Sequence, residues 1–329
     1  MVASQEKILI TGGTGSLGKA LVEELLRRST STQITVFSRD ELKQYEMQLE
    51  LPNSPQVDYV IGDVRDRNRL DEVVPGHTQI IHTAALKQVV MGEKNPTEYI
   101  KTNILGTINV AEAAIDASVK SLVAISTDKA SSPINLYGGT KFVADKYLVR
   151  TALNRHEIRE KELRFSILRF GNFLNSRGSV LPVWAMQREK GLPLTITDPS
   201  MTRFWLTLEE GVQIVLNLAA SANGSVLYVP RLRSIRISDL ASSFSPRTPV
   251  EITGRRPGEK LHEELISEAE LPGAVIEDSF FTINQDELHA HQRRSSSVTY
   301  DQIRSDSDQN LMHPDEIRQL LQSTKIPTA

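Results

Sequence analysis

Short apolar runs separated by amphipathic stretches fill the first half of the chain. Strands are predicted at Ile8–Ile10, Ile34–Phe37, Tyr59–Ile61, Ile80–His82, Leu122–Ile125 and Phe165–Leu168. Between them, Lys19–Arg28 and Ile104–Ala117 carry apolar residues at helical spacing. Strand and helix alternate at about 25–40 residues per unit, the rhythm of a doubly wound, Rossmann-like parallel sheet. The strands are apolar almost throughout, as expected of a sheet covered by helices on both faces.

After Gly171 the rhythm changes. Asn172–Ser200 is punctuated by Gly, Pro and Ser and shows no clear strand-helix repeat. Leu208–Ala220 reads as a helix, and Val226–Val229 and Val250–Thr253 as short strands. The expected organisation is a nucleotide-binding domain over residues 1–170, with segments around 204–235 returning to it. Residues 171–329 then form mainly a smaller mixed α/β lobe for the substrate. The tail is polar up to a helical pattern at Pro314–Leu321, with a loop expected at Arg293–Ser297.

Composition narrows the function classes. Of 329 residues none is cysteine, which excludes disulfides, thiolate catalysis and cysteine–zinc sites. The formal net charge of -3 and the lack of a basic block argue against nucleic acid and membrane surfaces as partners. No apolar run approaches the ~18 residues of a membrane span, and the first strand begins too early for a signal peptide. A cytoplasmic protein is expected. The seven histidines show no metal-ligand spacing, and no metal is expected; His289 and His291 read as surface residues. Asn223-Gly224-Ser225 reads as a tight turn, and Trp184 and Trp205 as packing residues.

Chemistry enters with the glycines. Thr11-Gly12-Gly13-Thr14-Gly15-Ser16-Leu17-Gly18 follows the first strand and opens a helix. In that position glycines let the backbone approach a pyrophosphate, and the helix N-terminus offers free N–H groups and positive potential. The residues ending the second strand choose the ribose. Ser38 and Arg39, with Lys43 nearby, favour the 2′-phosphate of NADP, and Asp40 leaves NAD open. Asp63, in Gly62-Asp63-Val64, is placed either to meet the adenine or to cap a helix.

Tyr137 and Lys141 stand one helical turn apart. A phenol titrates near ~10, too high for a base at neutral pH, and an adjacent lysine cation lowers it. The pair therefore suggests alcohol-to-ketone oxidation with a nicotinamide. Just upstream, Ser126-Thr127-Asp128-Lys129 ends the fifth strand, at the sheet edge where ligands bind. An acid and a base beside an oxidising pair point to oxidation as the first step of another reaction.

These segments, together with Ala84-Ala85-Leu86-Lys87, Lys101-Thr102-Asn103, Ser176-Arg177-Gly178-Ser179, Met201-Thr202-Arg203-Phe204-Trp205 and Arg256-Pro257-Gly258-Glu259-Lys260-Leu261-His262-Glu263, carry a resemblance over nearly the whole chain. The chain resembles the extended short-chain dehydrogenases/reductases, and among them the inverting UDP-N-acetylglucosamine 4,6-dehydratases of bacterial deoxyamino-sugar biosynthesis. Lys129 matters most, because retaining hexose 4,6-dehydratases carry Thr-Asp-Glu at that place.

The resemblance implies a UDP-sugar substrate, an NADP cofactor (NAD remaining open) and self-association as a dimer or hexamer. It implies Tyr137, Lys141, Thr127, Asp128 and Lys129 as catalytic residues. Gly12, Thr14, Gly15, Ser16, Leu17, Gly18, Ser38, Arg39, Lys43, Asp63, Val64, Ala84, Ala85, Lys87 and Asn103 would hold the cofactor, with Tyr137 and Lys141. Lys87, Asn172, Arg177, Arg203, Arg256 and Glu259 would meet the nucleotide sugar. Lys129 must be neutral to act as a base, and burial and Lys141 are expected to lower its pKa. Asp128 must be protonated to act as an acid.

Three places depart from the family pattern: Gln88-Val89-Val90 where relatives carry His-Val-Pro, Phe170 where they often carry Tyr, and Leu311-Met312-His313 where some carry a tryptophan. A retaining UDP-sugar 4,6-dehydratase and a C4-epimerase are the alternative enzymes. A non-catalytic NADP-binding regulator is the alternative from another class.

Overall fold

A computed structural model of the protein describes residues 6–51, 54–157, 164–221, 226–283 and 298–324. The expected turn at Asn223-Gly224-Ser225, the loop at Arg293–Ser297 and the histidines 289 and 291 lie outside the described residues.

The strands run in chain order β1 (Lys7–Thr11), β2 (Gln33–Ser38), β3 (Val57–Ile61), β4 (Gln79–His82), β5 (Ser121–Thr127), β6 (Arg164–Phe170), β7 (Asn172–Phe173), β8 (Leu194–Ile196), β9 (Thr202–Leu206), β10 (Val226–Pro230), β11 (Arg233–Arg236), β12 (Val250–Ile252), β13 (Ala274–Glu277) and β14 (Phe280–Ile283). Among the described residues the main sheet is nine-stranded, in the order β3-β2-β1-β4-β5-β6-β10-β14-β13. From β3 to β10 every pairing is parallel; β13 and β14 close the far edge as an antiparallel hairpin. The strand order reverses between β1 and β4, which opens a crevice at their C-terminal ends.

All six strands expected in the first half are present, most lengthened by a residue or two at each end. Their apolar side chains fill one continuous core: Leu9, Ile10, Val36, Phe37, Ile80, Ile81 and Val123 are each at most 1% exposed. The return of chain to this sheet goes further than expected. Besides β10, the hairpin β13–β14 joins it from beyond residue 270, because Phe281 and Ile283 alternate onto the core face.

One expectation about local structure is corrected. The helix expected at Ile104–Ala117 begins earlier, with a π-helical stretch Ile100–Leu105 before an α-helix Gly106–Asp116. The wider turn carries Asn103 towards Leu86, whose N–H and C=O both bond its amide at 2.8 Å. The segment Asn172–Ser200, which shows no clear strand-helix repeat in sequence, contains β7, a helix Val180–Glu189 and β8. These elements are too short for their periodicity to stand out.

A second core gathers Leu181, Trp184, Leu194, Ile235, Leu240 and Ile317. The final helix, Pro314–Ser323, packs on the helix Ile237–Phe244 and completes this core from the C-terminal end. Trp184 is fully buried, as expected of a packing residue, and donates its indole N–H to the Thr195 carbonyl at 2.9 Å.

Candidate active site

The turn after β1 has the features a dinucleotide pyrophosphate requires. Gly12 takes φ +68°, and a Cβ there would lie 2.7 Å from the Ala84 backbone, so glycine alone lets the two loops touch. Gly15 begins the helix Ser16–Arg28 with no side chain capping it and no acidic residue in the first turn. The N–H groups are thus left for an anion. Arg177 reaches over this loop from beyond β7. Its side chain donates to the Thr14 carbonyl, and its N–H to Ser16 Oγ at 3.2 Å. The structure therefore sets Arg177, expected on the sugar side, against the phosphate loop.

At the end of β2 the polar residues divide their tasks. Asp40 is the N-cap of the helix Glu41–Glu50, accepting from the Lys43 N–H at 3.1 Å and from Lys43 Nζ at 2.5 Å. Its carboxylate, and the lysine, are thus occupied locally. Ser38 accepts from Gln44 Nε2 at 3.0 Å. Arg39 is half exposed, 3.8 Å from Asp63. Burial would raise the pKa of Asp63, but hydrogen bonds from the Arg65 side chain and N–H outweigh it and hold the carboxyl below its ordinary value. Val64 is buried in the core, and Asn103 is fully buried; both shape the walls and do not line the main cavity.

That cavity, about 600 Å³, runs from the phosphate loop to the second lobe. Thr127, Lys129, Tyr137 and Lys141 line it, with Ala85, Lys87, Asn172, Arg203, Arg256 and Glu259. β5 ends at Thr127, whose Oγ1 donates to Asp128 Oδ1 at 2.9 Å. Asp128 is fully buried and its Oδ2 has no hydrogen-bond partner among the described residues. Lys129 Nζ lies 3.0 Å from Asp128 Oδ1, 3.2 Å from Asn172 Oδ1 and 3.6 Å from Glu263 Oε1. The helix Leu136–Glu157 brings Tyr137 and Lys141 alongside. It docks closely because residue 138 is glycine; a Cβ there would strike the Lys129 carbonyl oxygen.

The protonation states differ from those expected. Tyr137 is pushed up to about 12, chiefly by burial; Lys129 and a hydrogen bond with Thr127 oppose this, while Asp128 and Asp145 add to it. The cation acting most on Tyr137 is Lys129 rather than Lys141. Burial lowers the pKa of Lys141 against the opposing charge of Asp145. Burial likewise favours a neutral Lys129, but the carboxylates of Asp128 and Glu263 outweigh it and raise its pKa. The expected lowering of Lys129 is thus corrected: in this arrangement it is held as a cation.

Elsewhere on the cavity wall, Lys87 has its pKa lowered by burial and by the charges of Arg177 and Lys129. Arg203 is nearly buried, and its guanidinium donates to the carbonyls of Thr202, Leu261 and Lys260. It stitches β9 to the following loop. Arg256 is exposed at the cavity mouth, with Glu259 accepting from its N–H at 3.0 Å. Trp205, expected only to pack, also forms cavity wall, and its indole N–H has no partner among the described residues. Glu263 was not expected in the site. Nothing in its local sequence marks a glutamate as buried.

Fold and site together define an extended short-chain dehydrogenase/reductase, with a phosphate loop and a Tyr-Lys pair on one crevice. The chain belongs to the polysaccharide biosynthesis protein family, whose model matches residues 8–285. It is 44% identical over 265 residues to "UDP-N-acetylglucosamine 4,6-dehydratase (inverting)" of Campylobacter jejuni, covering 80% of this chain and 78% of that one. It is 38% identical to "UDP-glucose 4-epimerase" of Rickettsia rickettsii, over 85% and 83% of the two chains. The structure of Pen from Bacillus thuringiensis superposes over the whole of both chains with a TM-score of 0.90 at 31% identity.

Proposed function

We propose that this protein is a UDP-N-acetylglucosamine 4,6-dehydratase that inverts C5. Its product is a UDP-2-acetamido-2,6-dideoxy-L-arabino-hexos-4-ulose, an early intermediate of bacterial deoxyamino sugars. One observation carries the reading: Lys129, bonded to Asp128, shares a cavity wall with Tyr137 and Lys141 beside the phosphate loop. The relative from Campylobacter jejuni bears the same activity in its name.

The glycine loop and uncapped helix N-terminus fit a nicotinamide dinucleotide. NADP is preferred over NAD, because Asp40 is occupied as a helix cap while Arg39 is half exposed and held only by a 3.8 Å ion pair with Asp63, from which it can turn to a phosphate. Held by the glycine loop and the helix start after Gly15, the cofactor would supply reversible hydride transfer, oxidation at C4 and reduction at C6, as befits a redox-neutral, NADP-dependent hydro-lyase.

The protein's residues then move protons. Tyr137 acts as the phenolate, an ionisation the Lys129 cation favours, and takes the proton of the C4 hydroxyl, with Lys141 lining the same cavity. The ketone at C4 acidifies the C5 hydrogen, which Lys129 removes once it has passed its own proton to Asp128 across their 3.0 Å contact. Protonated Asp128 donates to the C6 hydroxyl as it leaves, and the proton taken from C5 restores the Lys129 cation. Tyr137, or a water, returns the C4 proton to C5 from the opposite face. Every proton is accounted for within the cavity.

In this reading residues 1–170 and the returning strands hold the cofactor, and 171–329 mainly hold the nucleotide sugar. The cytoplasm, where both would be available, is the proposed compartment; no described helix is long and apolar enough to cross a membrane. Self-association as a dimer or hexamer is supported by Ile100, Leu105 and Val143, exposed on neighbouring helices.

The test is incubation with UDP-N-acetylglucosamine in deuterated water. Mass spectrometry should show loss of water, and NMR should show deuterium at C5 of an L-configured product. A product that keeps the D configuration sinks the inverting reading. The name of the Rickettsia relative favours a second reading, C4 epimerisation; it predicts an isomer of unchanged mass with the C6 hydroxyl retained.

A further inference from the structure

Gly258, Glu259 and Glu263 form cavity wall on the segment that packs against the turn of Asp128 and Lys129, and the proposed chemistry gives Glu263 no role. Lys260 Nζ donates to the Ser131 carbonyl at 2.7 Å, and Asn135 Nδ2 to the Gly258 carbonyl at 2.9 Å. Ser131 Oγ meets Glu264 Oε1 at 3.4 Å. The second lobe therefore grips the turn that carries Asp128 and Lys129 at several points.

Glu263 is the centre of this grip. Its N–H donates to Ser305 Oγ at 2.7 Å, and its carbonyl accepts from the Ser305 N–H at 2.9 Å. With its backbone tied on both sides, the side chain points into the site and is 2% exposed. Oε1 lies 3.6 Å from Lys129 Nζ and 3.8 Å from Arg203 Nε, and Oε2 lies 3.8 Å from Lys260 Nζ. Oε2 has no hydrogen-bond partner among the described residues. Arg203 donates through its two terminal nitrogens, and Lys260 through Nζ, to backbone carbonyls. Of the three cations, Lys129 and Arg203 line the cavity, and Lys129 is the one that must change charge to react.

We propose that Glu263 is the positioning residue of Lys129: its carboxylate holds Nζ at the cavity wall and, with Asp128, keeps the lysine a cation until substrate enters. The inference rests on the proposed role of Lys129 as the C5 base. The charged and titratable groups facing the pair come from every neighbouring element. They are Asp128 on the same turn, Tyr137 on the following helix, Lys87 after β4, Arg203 on β9 and Lys260. Substrate displacing the Glu263 carboxylate from Lys129 would let the lysine pass its proton to the Asp128 carboxylate at 3.0 Å, leaving a neutral amine beside a protonated acid.

The lysine's charge can be read without substrate. Competitive labelling with acetic anhydride, followed by peptide mass spectrometry, gives the unprotonated fraction of Lys129 at each pH. Glu263→Gln should bring half-labelling to a pH at least about one unit below wild type, because a carboxylate at ion-pair distance is removed. Glu263→Asp withdraws the charge by one methylene and should move it partway. It keeps a counter-ion for Arg203 and Lys260, and so serves if the Gln variant does not fold.

Curves that coincide with wild type in the folded variants overturn the proposal and leave Glu263 as a structural counter-ion. In the dehydration assay the acidic limb of kcat should move to lower pH by the same amount in Glu263→Gln; a limb that stays put also overturns it. A wild-type protein that does not dehydrate the sugar defeats the proposed reaction instead, and leaves the labelling result standing.

Discussion

Asp128 and Lys129 are neighbours in the chain and are joined side chain to side chain, Nζ to Oδ1, at 3.0 Å. The acid and base of the proposed dehydration are therefore a single proton-sharing pair at the end of β5. Lys129→Ala should abolish deuterium incorporation at C5 and lower turnover by about 10³-fold or more, while leaving cofactor affinity unchanged. Calorimetric NADP binding and NMR of the product in deuterated water check it. Exchange that persists rules Lys129 out as the base.

Tyr137 should titrate late in the cofactor-free protein, since burial pushes it up to about 12. A difference titration of wild type against Tyr137→Phe, followed by phenolate absorbance, should show this tyrosine ionising well above the free value of ~10. The same variant should lose about 10²–10⁴-fold in kcat with little change in cofactor affinity.

Arg39 is half exposed and 3.8 Å from Asp63, whereas Asp40 caps its own helix. Arg39→Asp should weaken NADP binding by about tenfold or more and improve NAD relative to it, because a charge-assisted phosphate contact becomes a repulsion. Equal affinities in wild type and variant would show that the ribose is read elsewhere.

Gly138 permits the catalytic helix to lie against the Lys129 carbonyl. Backbone cannot rotate away as a flexible side chain can, so Gly138→Ala must push helix and turn apart. Misplacement on that scale costs about 10²-fold in kcat. Circular dichroism and NADP binding should stay close to wild type if the damage is local.

Behind the helix, Arg169 is fully buried and bonds Glu270 through two nitrogens at 2.9 and 3.1 Å, with Asp145 farther away at 3.5 Å. Burial would raise Glu270, but Arg169 outweighs it and holds the carboxyl at about 2. Asp145, less well paired, is instead raised, chiefly by burial. A depressed carboxyl contributes stability that is present above its unfolded value of 4.5 and lost as pH falls towards 2. Wild-type stability should drop across that window by on the order of 3 kcal/mol from this group. Glu270→Gln should be less stable than wild type at neutral pH by about 3 kcal/mol, with that difference shrinking as acid is added. Urea titrations at several pH values measure both.

The sequence by itself determined the parallel sheet, the phosphate loop and the Tyr137–Lys141 spacing. Each is a local regularity: apolar strands at a steady interval, glycines between strand and helix, two residues one helical turn apart. The irregular part after Gly171 was not legible, because elements as short as β7 and β8 show no period. The return of β13 and β14 to the sheet depends on pairing between residues some 50 or more positions apart. Charge states were decided only by the tertiary structure. A lysine's pKa follows from which carboxylates lie within a few ångströms, and Glu263 reaches Lys129 from 134 residues away in the numbering. Burial and long-range charge are properties of the folded whole.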